Sequence, residues 1–123
     1  MEFENAFAEM RKRRIEAVAI NEDPMLVANA EALASLATKH RIPAIGFVEL
    51  AERGGLLGYG VNFPIMYRRA AVFVDKILKG ARPSDLPIER ATIFEFVVNG
   101  KTAKAFGIKI PNSILVRTDK VIE

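Results

Sequence analysis

The chain has 123 residues, half of them hydrophobic, with a formal charge of +3 and a pI near 9.4. That is the length of one domain with enough apolar material for a core, which argues against disorder. It holds no cysteine and a single histidine, so thiolate zinc sites, His–Cys sites and multi-histidine metal sites are excluded.

The opening MEFENAFAEM predicts a helix, because Phe3, Phe7 and Met10 recur at helical spacing with charge on the other faces. Its acidic start and lack of an apolar stretch are unlike a signal peptide. No run anywhere approaches the roughly 18 apolar residues of a membrane span. The basic run RKRR, 11–14, reads as the last turn of this helix, where cations meet the negative end of the dipole. No aromatic residue is interleaved and no nucleic-acid motif accompanies it, so nucleic acid is not expected as a partner. IEAVAI, 15–20, predicts a strand buried on both faces. NEDP, 21–24, supplies turn and cap residues. A helix over about 25–40 follows, with an apolar stripe at Leu26, Ala30, Leu33 and Ala37. RIPAIGF predicts a second buried strand starting at Pro43. Strand, helix and strand with short links form a βαβ unit, hence a parallel sheet.

A short helix over 48–53 closes at Gly54-Gly55, and LLGYG, 56–60, is a third short strand. Its glycines weaken it as a central strand and imply close backbone approach or a bend. The longest helix, 64–79, starts at Pro64 and stops at Gly80. Ile65, Met66, Ala70, Val72, Phe73, Val74, Ile77 and Leu78 cover more than one stripe of it, so it calls for burial on more than one side. ARPSDLP is an extended linker, and IFEFVV alternates only partly, as a strand near a sheet edge does. Asn99 caps a short helix over 101–106 that Gly107 ends, and the tail from Pro111 adds another helical turn or two. No internal repeat is present. The pattern is α/β, yet it begins on a helix and carries one helix too apolar for its few strands, which suggests part of a larger protein.

The candidate sites follow from strand ends. GGLLGYGVNF, 54–63, holds four of the eight glycines but fails both phosphate templates. No lysine follows a glycine in P-loop frame, and Phe63 stands where the dinucleotide fingerprint needs its last glycine. His40 lies at a helix end, a capping or solvated position. Asn21, Glu22 and Asp23 follow the first parallel strand, Phe47 and Glu49 the second, and Tyr59 and Asn62 flank the third. Open α/β sheets bind ligands at such carboxyl ends. Asp23 can equally cap the next helix, and for the aromatics core packing is the larger expectation. No nucleophile–base–orienter set emerges, so nothing supports catalysis.

LATKHRIPAIGF, ERGGLLGYGVNFPIMYRRAAVFVDKILKGARPSDLPIER and FEFVVNGKTAKAFGIKIPNSILVRTDKVIE resemble the C-terminal part of ABC-transporter substrate-binding proteins. The similar family includes tryptophan- and tyrosine-binding members, and the resemblance covers nearly the whole chain. It implies an α/β lobe with a three-layer parallel sheet, of the type I periplasmic-binding-protein fold. The lobe core would be 1–57, the crossover strand, long helix and linker 58–87, and the return strand and terminal helices 88–123. Such a protein closes two lobes on a small solute, hands it to an ABC permease, and works in the periplasm without a catalytic role or cofactor. The first lobe and signal peptide of the family are not in this sequence, so the long helix 64–79 is expected to pair two copies. The ligand-binding positions would be Asn21, Glu22, Asp23, Phe47, Glu49, Gly58, Tyr59 and Asn62, with Gly58 at a hinge. Asp23 and Glu49 would suit an amino group and Phe47 or Tyr59 a planar or apolar side chain, as in an aromatic or branched amino acid. A ligand-sensing domain of a regulator or signalling receptor is the alternative use of this fold.

Overall fold

The structure, a computed structural model, describes residues 2–123. It divides into two compact units, one formed by the chain up to Gly60 together with Glu95–Glu123, the other by Val61–Phe94.

The first unit opens on α1 (Glu2–Lys12), as the spacing of Phe3, Phe7 and Met10 requires. Arg14 then turns left-handed, φ 58°, while Ile15 N–H reaches back to Met10 O. This six-to-one bond is the Schellman closure of a helix end. The first strand, β1 (Val18–Ala19), is shorter than expected, and it is not buried on both faces: Ile15 is 43% exposed and Ala19 is also exposed. It is an edge strand, with a neighbour on one side only. The single helix expected over 25–40 is two, α2 (Pro24–Ala28) and α3 (Ala30–His40). The break falls at Asn29, whose side-chain amide donates to Met25 O at 2.7 Å. Asparagine competes with the helical backbone for such bonds, which is why it favours caps. α3 ends as α1 does, on a left-handed arginine, Arg41, φ 55°, with Ile42 N–H bonded to Ala37 O.

The second strand, β2 (Ala44–Gly46), is buried at Ala44 but 37% exposed at Ile45, so it too is half-covered rather than buried. α4 (Val48–Glu52) leads through left-handed Gly54, φ 117°, into β3 (Leu57–Val61). β1 pairs parallel with β2 and β2 with β3, as the βαβ reading requires. The return strand β4 (Phe94–Asn99) lies next to the edge strand, as expected, and is itself flanked on both sides. The sheet order is β1-β2-β3-β4-β5, and Val97 and Val98 are 1% and 0% exposed. Asn99 N–H donates to Leu56 O, and three residues on Tyr59 meets Phe96, so β3 and β4 run antiparallel. The covering edge is β5 (Lys120–Ile122), parallel to β4. The tail holds one helical turn, α7 (Asn112–Leu115), and then this strand instead of further helix. A three-residue strand with Lys120 inside it carries almost no alternation to detect. Between β4 and α7 stands α6 (Gly100–Phe106), capped by Asn99 and closed by left-handed Gly107.

The larger core cluster joins Phe7, Ala30, Leu33, Ala34, Ala37, Ile42, Ala44, Phe47 and Leu50, and a smaller one joins Val48, Ala51 and Val97. Asn99 is the buried polar residue of this unit at 4% exposure. It accepts from Thr102 N–H and donates to Ala51 O, so both ends of its amide are satisfied.

The second unit is α5 (Phe63–Leu78) and the segment after it, which carries a 3-10 turn, Pro83–Asp85, inside the stretch expected to be extended. Asn62 caps α5 by accepting from Ile65 N–H, and its own N–H donates to Ile93 O. Arg69 grips Glu89 with two hydrogen bonds, one of 2.6 Å. No residue of α5 is buried.

Candidate functional site

The register Ala19–Ile45–Leu57 aligns the carboxyl ends of β1 and β2 with the first residues of β3. Alternate strand residues share a face, so Ala19, Ile45, Leu57 and Tyr59 lie on one side of the sheet. The other side meets α4 at very close range. A Cβ on Gly58 would stand 2.6 Å from Phe47 O and 2.9 Å from Ala51 Cβ, and one on Gly46 only 2.5 Å from Ile20 O. The glycine at 58 is therefore demanded by close approach, as its place in a strand predicts. Gly60 is different, because its nearest neighbour would be Glu22 Oε2 at 3.4 Å, an ordinary contact.

On the face away from α4 the first unit holds an open hollow of about 400 Å³. Its floor is Ala19, Ile20, Ile45, Gly46, Leu57 and Phe96, and its rim carries Asn21, Glu22, Phe47, Gly58 and Tyr59. Five of the eight residues expected from strand ends thus line one cavity. Tyr59 is 61% exposed and meets Phe96 edge-to-face, with ring centroids 6.3 Å apart. Phe47 is 1% exposed and belongs to the core cluster. Glu22 stands beside Glu49, and partial burial together with that neighbouring carboxylate raises its pKa above the ordinary value, burial being the larger cause. Such a carboxylate gains from a cation more than a solvated one does.

Three expected residues lie elsewhere. Asp23 Oδ1 accepts from Met25 N–H at 2.9 Å and caps α2. Glu49, in the first turn of α4, does not line the hollow but acts on Glu22. Asn62 belongs to the second unit, where it caps α5 and lines a separate cavity of about 320 Å³ with Ile65, Met66, Arg69, Phe73 and Ile93. Phe96 was missed. It comes from a strand far off in sequence, and only the antiparallel pairing with β3 brings it beside Tyr59. Ile45 was missed because the strand was read as buried on both faces. Among the described residues, no group of three or more His, Asp or Glu side chains is placed to hold a metal ion, and no helix is long and apolar enough to cross a membrane.

The family described as ABC transporter substrate binding protein matches residues 1–122. No curated protein matches the chain. Among solved structures, a conserved domain protein from Vibrio cholerae is similar at 22% identity and a TM-score of 0.86, over 98% of this chain and 40% of its own. The ABC domain from Streptococcus pneumonia in complex with L-Trp is similar at 24% identity and a TM-score of 0.87, over 98% of this chain and 41% of its own. The ligand-free, open structure of a Clostridium difficile substrate binding protein with adhesive properties gives 22% identity and a TM-score of 0.67, over 98% and 40%. This chain spans about 40% of the length of the solved structures it matches. At these identities the likeness is one of fold, and the five-stranded, mostly parallel α/β sheet is the part they share.

Proposed function

The chain belongs to the family of ABC transporter substrate binding proteins, and from that premise we propose that its hollow at the carboxyl ends of β1 and β2, beside β3, is its share of the solute site of an importer's receptor. The observation that carries this reading is an acidic side chain and an aromatic pair lining one hollow. Glu22, pressed by Glu49, is arranged to take an ammonium group, and Tyr59 with Phe96 offers an edge and a face to a planar side chain. An amino acid with an aromatic or branched side chain fits both. The L-Trp bound to the streptococcal relative supports the same class. Asn21 and Gly58 would contribute hydrogen bonds and close approach, with Phe47 beside them on the rim and Asp23 and Glu49 acting from behind it. The partner of a solute-loaded receptor would be an ABC permease, on the outer side of the membrane.

The helix α5 supports a second element of this proposal, association of two copies. Phe63, Tyr67, Ala71, Val74 and Leu78 recur at spacings of four and three along it, and Tyr67, Val74 and Leu78 are 67%, 54% and 82% exposed. Such a stripe matches a helical seam.

A thermal-shift titration of this chain with tryptophan, phenylalanine, leucine and valine tests the solute reading. A ligand at a hundred times its Kd stabilises by about 2.7 kcal/mol, which is a rise of several degrees. Glu22→Gln should abolish that rise. No shift with any of the four amino acids would remove the ligand class.

A further inference from the structure

Away from the solute hollow, the first unit has a second, wider concavity of about 700 Å³, lined by Arg11, Lys12, Arg14, Ile15, Glu16, Arg41, Pro43, Phe106 and Ile108. It lies where α1 and α3 end, ahead of β1 and β2. We propose that this concavity docks the protein onto an anionic phospholipid surface.

Four cations and one carboxylate line it, over a floor of Ile15, Pro43, Phe106 and Ile108. Arg11 is held in place by donating to His40 O at 2.9 Å. Arg14 and Arg41 make no ion pair or side-chain hydrogen bond among the described residues. Both adopt left-handed backbone, φ 58° and 55°, at the closing position of a Schellman motif. Glycine is the residue that fits this position without strain, since a Cβ there costs roughly 1–2 kcal/mol. The helix dipole accounts for Arg11 and Lys12 within the last turn of α1. It does not account for two strained arginines at one concavity, each standing where the fold itself would accept glycine. Their guanidinium groups suit phosphate, and the apolar floor suits the glycerol and upper acyl region beneath phosphates. A free phosphate ion would use only the first of these features. Nucleic acid would gain little from an aliphatic floor that offers one aromatic ring and no stacking row.

The fold's preference for glycine makes the test clean. Arg14→Gly and Arg41→Gly remove the cations while leaving thermal stability equal or higher. Flotation of the whole chain with vesicles of phosphatidylcholine containing phosphatidylglycerol, against phosphatidylcholine alone, reads the binding. We expect retention only on the anionic vesicles, falling roughly fivefold for each arginine removed, the loss set by about 1 kcal/mol per basic residue at a lipid surface. Equal retention on both vesicle types, or an unchanged partition of the double glycine variant, overturns the proposal. So does displacement by inorganic phosphate or by a single-stranded oligonucleotide at phosphate concentrations matching the lipid. None of these outcomes depends on a bound amino acid, so the solute reading stands or fails separately.

Discussion

The two units of this chain are built on opposite principles. The first closes on itself: every fully buried hydrophobic side chain among the described residues belongs to it, from Phe7 through Leu50 to Ala103, and its buried asparagine is satisfied at both ends. The second holds a helix of 16 residues with no buried side chain, and exposes Tyr67, Val74, Leu78 and Ile88. Its order rests on caps and ion pairs, Asn62 on Ile65 N–H and Arg69 on Glu89. The lesson is that apolar content does not locate a core. The first unit's apolar residues are spaced to meet one another, whereas those of α5 outnumber the surface that its own unit can offer.

The largest test of this contrast is truncation of a leucine in each unit. Leu50 is 0% exposed, and Leu50→Ala should cost about 2–5 kcal/mol in urea unfolding. Leu78 is 82% exposed, and Leu78→Ala should stay within about 0.5 kcal/mol at concentrations where the chain is a single copy. Equal losses would erase the distinction. The boundary glycines sharpen it next. Gly58→Ala drives a Cβ to 2.6 Å from Phe47 O and should cost about 1–3 kcal/mol or more, because backbone must move. Gly60→Ala meets nothing closer than 3.4 Å and should be tolerated.

The asparagine caps differ by a smaller margin. Asn99→Ala removes a cap and a buried bond to Ala51 O, for about 1–3 kcal/mol. Asn62→Ala removes one bond at an exposed helix start, for about 1 kcal/mol, read as fraying of α5 by circular dichroism.

The smallest effects come from exposed carboxylates, one in each unit. Hydrogen bonds from Lys39 and then His40 lower the pKa of Glu4, and the Arg69 hydrogen bond lowers that of Glu89. A depressed folded-state pKa means that ionisation favours the folded state. Each contribution is therefore complete above the unfolded value near 4.3 and is lost as pH falls through the lower folded value. Amide exchange should show α1 loosening below about pH 4 in a way that Glu4→Gln abolishes. Glu89→Gln should do the same for α5 while leaving α1 untouched. Glu22 carries the opposite sign. Its raised pKa makes ionisation unfavourable to the fold, so Glu22→Gln should slightly raise stability at neutral pH in the absence of solute.

Local chemistry was legible wherever a residue acts on its own neighbours. Phe3, Phe7 and Met10 announced α1, Asn99 and Gly107 bracketed α6, Pro64 opened the long helix, and the glycine at 58 signalled close approach. Candidate site residues at parallel strand ends were legible for the same reason, because the βαβ order brings carboxyl ends together whatever the details. Asn21, Glu22, Gly58 and Tyr59 needed no more than that. Asn29 escaped notice since its break competes with an otherwise continuous apolar stripe, and the strand at 120–122 since three residues bear no period.

What the sequence determined by itself was the class of fold, most of its helix ends and the loops that follow β1 and β2, all of which depend on contacts within a few residues. What only the tertiary structure decided was lateral order. β4 is interior because β5 covers it, Phe96 joins Tyr59 because the strands run antiparallel, and the left-handed arginines 14 and 41 share one concavity because two helices end side by side. Those placements follow from pairings across many tens of residues, and side-chain period within a strand or helix carries no record of which neighbour it will meet.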